Sequence, residues 1–227
     1  NESLPYCQAL YTLSRYHCDI LRKNFPFPVD QVLHPTEEPA LKWDWDRYIR
    51  NPEKKVIQVG FWLRKLLAIY VLKAPGFQKC FIRKENVNLD HLLEVEKQNS
   101  GYRDQLNDEA LASTTVIGFQ TPAEYDRLLS ENIVFIDLYD ASANNSVIEC
   151  MVRNTPILVN PLEPIIEYLG PRYPFYFRNL DEASSKLRDT ALIRETHNYL
   201  RNLKFKKKLE PGYFLRSFVK SSIYKKL

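Results

Sequence analysis

The chain has 227 residues, 44% hydrophobic, 13% aromatic and 26% charged, a balance that fits one large globular domain or one and a half and excludes disordered, collagenous and coiled-coil proteins. No apolar run approaches the roughly 20 residues of a membrane-crossing helix. The formal net charge is +4, and from Arg201 to Leu227 nine Lys or Arg face the single acid Glu210, so the remainder of the chain is net negative.

Asn1 opens the chain with no basic-then-apolar leader, which reads as a piece of a longer polypeptide, placed in the cytoplasm. Cys7, Cys18, Cys80 and Cys150 stand far apart without CxxC or Cys/His ligand spacing. They read as buried thiols of a reducing compartment rather than zinc ligands.

In chain order, Ser14 to Phe25 has helical period and Pro28 to Leu33 is extended, while Pro35 to Asn51 is rich in proline, tryptophan and charge. Residues 1–52 therefore read as a connector or remnant of a preceding lobe. Strand runs follow at Lys55–Gly60, Lys79–Ile82, Thr114–Phe119, Ile133–Leu138, Pro156–Val159 and Tyr173–Phe177. Helical segments alternate with them: Phe61–Tyr70, Leu89–Gln98 with Asn88 as cap, a helix opened by Thr121-Pro122-Ala123-Glu124, then Val147–Arg153 and Leu162–Leu169. Alternation of this kind predicts an α/β, doubly wound, mostly parallel Rossmann-like sheet of about six strands over residues 53–203. Residues 183–203 read as one long helix and Tyr213–Tyr224 as another, within a basic segment, 204–227, that packs back on the domain.

Ligands of open α/β sheets bind beyond the carboxyl ends of the strands, where strand order reverses. The loops Gly60–Lys65, Gly118–Thr121 and Tyr139–Ser146 are the candidates. Arg64 and Lys65 offer the fork and point charge that a diphosphate needs, although neighbours on a helix diverge by about 100°, so that one of them at most contacts it directly. Asn144, Asn145 and Ser146 open a helix whose N–H groups and dipole favour an anion. Neither GxGxxG nor GxxxxGK[ST] occurs, which counts against nicotinamide cofactors and P-loop nucleotides and leaves a sugar nucleotide. Glu149 then has two readings, a carboxylate accepting from ribose hydroxyls or a helix-face partner of a basic side chain.

The run Ile133 to Asn160, with Glu163 and Glu167, resembles the donor-binding half of GT-B glycosyltransferases. Glu149-Cys150-Met151 stands where that family has Glu-Ala-Met, and Asn154-Thr155-Pro156-Ile157 where it has Gly-x-Pro-Val. Gly60–Lys65 resembles its pyrophosphate-binding segment, and Val116-Ile117-Gly118-Phe119 the strand whose following loop meets the base. Over about residues 55–200 the resemblance implies a UDP-sugar donor, a carbohydrate acceptor and donor contacts at Gly60, Arg64, Lys65, Gly118, Phe119, Ser142, Asn144, Asn145, Ser146 and Glu149. His34-Pro35-Thr36-Glu37 together with Gly60-Phe61-Trp62-Leu63-Arg64 resembles glycosyltransferase modules of large algal viruses, which implies a rhamnose- or fucose-containing product and the host cytoplasm.

Ala141 occupies the position of the glutamate usual in retaining members, eight residues before Glu149. The family has an acceptor lobe of comparable size, whereas at most fifty residues precede the first strand here, which reads as a truncated GT-B module. The expectation is therefore inversion without a metal or other cofactor, with Asp140, His34 and Glu37 as candidate bases, His34–Glu37 facing the donor cleft. Asp44-Trp45-Asp46 spells DxD but precedes the first strand, where no metal site is expected. His17, His91 and His197 read as surface or packing residues. Further domains of a longer polypeptide are expected as partners, and nucleic acid is not. A non-catalytic nucleotide- or glycan-binding domain, or a scaffold docking through its basic end, are the other readings.

Overall fold

The computed structural model describes residues 4–83 and 87–226. Its elements run β1 (Leu10–Thr12), α1 (Arg15–Asn24), β2 (Val29–Gln31), α2 (Trp45–Arg50), β3 (Lys55–Val59), α3 (Ala68–Val71), β4 (Gln78–Ile82), α4 (Leu89–Asn99) and α5 (Asp108–Ala112). They continue with β5 (Thr114–Ile117), α6 (Pro122–Ser130), β6 (Ile133–Ile136), α7 (Asn145–Arg153), β7 (Ile157–Val159), α8 (Glu163–Leu169), α9 (Leu180–Arg188), α10 (Thr190–Asn202) and α11 (Pro211–Lys220).

Five parallel strands form the main sheet in the order β5-β4-β3-β6-β7. Successive strands extend from β3 in one direction, and the chain then returns to add β6 and β7 on its other side. Strand order thus reverses between β3 and β6, where Ile57 pairs with Val134. Apolar runs make β6 and β7 central or covered strands: every residue from Ile133 to Ile136 and from Ile157 to Val159 is fully buried, as a parallel sheet with helices on both faces demands.

The expected sixth strand is not one. Tyr173, Phe175 and Phe177 are buried and alternate with half-buried Pro174 and Tyr176, which is the pattern of a strand. The segment nevertheless makes only an isolated bridge, Val159 to Tyr176, and Pro174 has no N–H with which to extend a ladder. The expected helix Phe61–Tyr70 shrinks to Ala68–Val71, because residues 63–65 pair instead with Asp137–Tyr139, which continue the chain past the end of β6. The single helix over 183–203 divides at Asp189, whose backbone (φ −89°, ψ 92°) ends α9 while its carboxylate accepts from the Leu192 N–H and caps α10.

The first residues build more than a connector. β1 and β2 form a two-stranded parallel sheet, Leu10 opposite Val29, crossed by α1. The Glu167 carboxylate of α8 accepts from Arg15 N at 2.7 and 3.0 Å, and the Tyr11 ring lies 5.2 Å from Phe218 of α11. A strap then follows the C-terminal ends of α6 and α7: Thr36 N donates to Leu209 O, Ala40 N to Asp126 of α6, and Trp43 N to Arg153 O. Trp43 is 3% exposed, donates its indole N–H to Asn132 O and packs against the His197 ring, tilted by 40° with centroids 4.7 Å apart. Asp44, in the DxD spelling, caps α2 by accepting from Arg47 N.

The Thr121 capping box forms as read: Thr121 Oγ1 accepts from Glu124 N, and Glu124 returns to Thr121 N at 2.8 Å. Replacing Thr121 with Ala is expected to lower stability by about 1 kcal/mol. A urea titration monitored by circular dichroism measures this, and an unchanged midpoint would remove the box from the account of why α6 begins there.

Candidate functional site

The site is built where the strand order reverses. β3 ends in Gly60, whose φ of +77° is open to glycine at little cost, and a Cβ there would lie 2.9 Å from Cζ of Arg64. The loop doubles back through Leu63 (φ +56°) and runs antiparallel to the end of β6. Tyr139 N donates to Leu63 O at 2.9 Å, and Lys65 N to Asp137 O at 2.8 Å. On the far side, the Asn160 amide accepts from Leu138 N at 2.8 Å and donates to Leu138 O at 2.9 Å. This side chain supplies the hydrogen bonds a neighbouring strand would give.

That zipper draws Arg64 beneath Gly60 until it is 9% exposed. The guanidinium donates to Trp62 O (2.8 Å), Ser146 Oγ (2.9 Å) and Asn144 Oδ1 (3.4 Å), while its buried Nε–H has no partner. Burial lowers the Arg64 pKa, and Tyr125 and the Glu149 carboxylate oppose the shift. The group stays charged, as guanidinium does in proteins. Asn144 caps α7, its side chain accepting from Val147 N, so α7 begins at Asn145, two residues earlier than read. A cleft of about 210 Å³ opens over this corner, lined among others by Trp62, Arg64, Asp140, Asn144 and Asn145.

The expected site residues do not all meet. Gly60, Arg64, Asp140, Asn144, Asn145 and Ser146 converge on this corner. Glu149, one turn along α7 and half-buried, accepts from Tyr125 OH of α6. Ser142, in the same loop as Asp140, is bonded to His17.

Gly118 and Phe119 follow β5 at the sheet edge, two strand spacings or about 10 Å from β3. Phe119 is 61% exposed there.

Lys65 points away from Arg64. Its Nζ lies 3.0 Å from Asp137 Oδ1, a carboxylate that also accepts from Tyr102 OH. The residue pair is in extended pairing rather than on a helix, so the two side chains take opposite sides instead of diverging by a helical step. Glu37 does not face the cleft as expected: it lines a separate depression with Lys42, Val152 and Lys206. That depression is at the C-terminal end of α7, whose nine residues put about 13 Å between its ends. The strap carries Glu37 there. His34 does not line the cleft either, and its Nδ1 is 2.7 Å from Pro35 O.

Tyr125, Asn160, His17 and Trp62 belong to the site's surroundings but were not singled out from the sequence. Trp62, 72% exposed, had a signal, a large aromatic next to a candidate phosphate loop. The other three had none, since each acts through a partner distant in sequence. Among the described residues, no group of three His, Cys, Asp or Glu is placed to hold a metal ion, and no helix is long and apolar enough to cross a membrane.

Gly60→Ala is expected to cost more than about 1 kcal/mol, from the positive φ alone, and to displace the Arg64 guanidinium. Thermal unfolding measures the first effect. A chain as stable as the parent would mean that this turn is not constrained as described.

No protein-family model matches the chain, and no curated protein matches it in sequence. In fold it is similar to solved glycosyltransferases. HepE from Anabaena, in complex with UDP and glucose, superposes with a TM-score of 0.72 at 8% identity, over 99% of this chain and 65% of that one. A mutant of S. aureus TarM, in complex with fondaparinux, alpha-GlcNAc-glycerol and UDP, gives 0.70 at 12% identity over 96% and 44%. A glycosyltransferase from Rickettsia africae gives 0.69 at 12% identity over 100% and 67%. The chain spans about half to two thirds of the length of these structures. Its architecture is that of a Rossmann-like half of the GT-B fold.

Proposed function

We propose that this chain is the nucleotide-sugar-binding part of a glycosyltransferase, holding the diphosphate of a UDP-sugar between the Gly60–Arg64 turn and the start of α7. The observation that carries the reading is the buried Arg64 guanidinium, tethered to Asn144 and Ser146 at the reversal of strand order with one N–H unpartnered. That is where open α/β sheets take their ligands. A fixed cation beside a helix N-terminus stabilises the charge that develops on a leaving diphosphate. The cleft is smaller than the roughly 300–1,000 Å³ of pockets enclosing drug-sized ligands, so it suits the phosphates, with the nucleoside extending over β4 and β5 toward Phe119. Two solved structures of the same fold were determined with UDP bound, which supports the choice of nucleotide.

In the reaction we propose, an acceptor carbohydrate hydroxyl attacks the anomeric carbon and the bond to the diphosphate breaks. Asp140, exposed at the cleft, takes the hydroxyl proton. One of its oxygens accepts from Ala141 N at 2.7 Å, which fixes the carboxylate. Inversion follows from a base without a neighbouring nucleophile. Charge neutralisation by Arg64 makes a metal unnecessary in this scheme. L-rhamnose is the donor sugar we favour among those to be screened. The unit β1-α1-β2 we read as the last part of an acceptor lobe, completed by other domains of a longer polypeptide.

The alternative, a nucleotide- or glycan-binding domain without turnover, is favoured by Ala141 and by the Ala143-Asn144-Asn145-Ser146 run that stands where the family has a glycine between loop and helix. Isothermal titration with UDP tests the transferase reading and the nucleotide-binding form of the alternative, since both require saturable binding, and titration with a glycan alone tests the glycan-binding form. Product formation from a UDP-sugar and a glycan acceptor then separates them. Arg64→Met is expected to weaken UDP binding by about tenfold or more, the loss of a charge-assisted hydrogen bond. Arg64→Lys, which keeps the charge but not the fork, should fall between. For Glu149→Ala the expectation is weaker binding of UDP with little effect on binding of inorganic pyrophosphate. Equal losses for both would assign Glu149 to Tyr125 rather than to ribose.

A further inference from the structure

The loop bordering the cleft is fastened by a residue from the opposite end of the chain. Tyr139 is held to Leu63 and Asn144 to Arg64 and Val147. Between them, among the described residues, Asp140 to Ala143 make one hydrogen bond to another element, between Ser142 Oγ and His17 Nδ1 at 2.9 Å. Their other bond, between Asp140 and Ala141, is internal. Ala141 is buried and Ala143 packs against the core, but exposed Asp140 and half-buried Ser142 have no other hydrogen bond beyond the loop, so the polar side of the loop is the part least held.

His17 is fixed from several directions. It lies in the first turn of α1, its N–H donating to Ser14 Oγ. The adjacent Cys18 is 2% exposed, and its thiol faces Val29 O. Glu167 holds the amides of Arg15 and Tyr16, and Tyr168 OH donates to Leu13 O. The imidazole is half-buried against a serine whose side chain has no other hydrogen-bond partner among the described residues. The rigid partner is therefore α1, and the loop is the part being held.

We propose that His17 is a positioning residue of the cleft. Through Ser142 it holds the Asp140–Ala143 loop against α1, and thereby sets Asp140 and the Asn144 cap relative to Arg64. Its effect on ligand binding rests on the donor-site reading above, whereas its hold on the loop does not.

The test measures amide hydrogen exchange over residues 139–146 and UDP affinity in His17→Phe, Ser142→Ala, the double variant and His17→Asn. Either single change is expected to speed exchange in that segment and to weaken UDP binding by roughly fivefold, the weight of one neutral hydrogen bond. The double variant should lose no more than either single one. In His17→Asn an amide can take the place of Nδ1, and most of the affinity should return while the melting temperature of all four chains stays near that of the parent.

Unchanged exchange and unchanged affinity in His17→Phe overturn the proposal, as do strictly additive losses in the double variant. Should the parent chain fail to bind UDP, the donor reading falls and the exchange measurement alone decides the latch. If His17→Phe does not fold, Ser142→Ala and His17→Asn decide in its place.

Discussion

A guanidinium held out of water between two strand ends organises this molecule. Arg64 reaches its position because Gly60 has no Cβ to exclude it, because Leu63 turns the chain back, and because residues 63–65 find backbone partners on the end of β6. Each condition depends on the others. Without the pairing the segment has the apolar period of a helix, on which Arg64 and Lys65 would diverge by about 100° instead of taking opposite sides. A buried cation with an orphaned N–H is costly by itself. The structure offsets that cost with two side-chain acceptors from the start of α7, a backbone carbonyl and the field of Glu149. The corner is thereby preorganised for negative charge before any ligand arrives.

Much of the sheet was legible because its strands are short β-branched or aromatic runs between turn residues. Lys55–Val59, Ile133–Ile136 and Ile157–Val159 lie within the runs read as strands, and the Thr121 box marked its helix through purely local chemistry. What failed were elements decided by tertiary partners. Tyr173–Phe177 alternates as a strand does but Pro174 denies it a ladder. Phe61–Leu67 has helical period but is captured by β6. Leu10–Thr12 is too short to announce itself and becomes a strand only beside Val29–Gln31.

The same distinction governs the candidate site. Two of the three loops chosen by the switch-point rule, Gly60–Lys65 and Tyr139–Ser146, do meet across Arg64, because the rule depends on topology and topology was readable from the alternation of elements. The divergence of Lys65 was not readable, since it follows from an extended backbone where a helix was expected. Nor was the remoteness of Glu37, which follows from the path of a strap whose bonds go to Leu209, Asp126 and Arg153. His17 had no local signature at all: its partner is 125 positions away.

The joint at Asp189 bears on how this fold can vary. One residue closes α9 with its backbone and opens α10 with its carboxylate, so no spacer separates the two axes. A single inserted residue would rotate α10 by about 100° and swing His197 away from Trp43, unseating the strap that crosses the base of the sheet. Surface loops elsewhere can absorb insertions at small entropic expense. Here a change of length acts on two helices at once, because the residue that ends one begins the other.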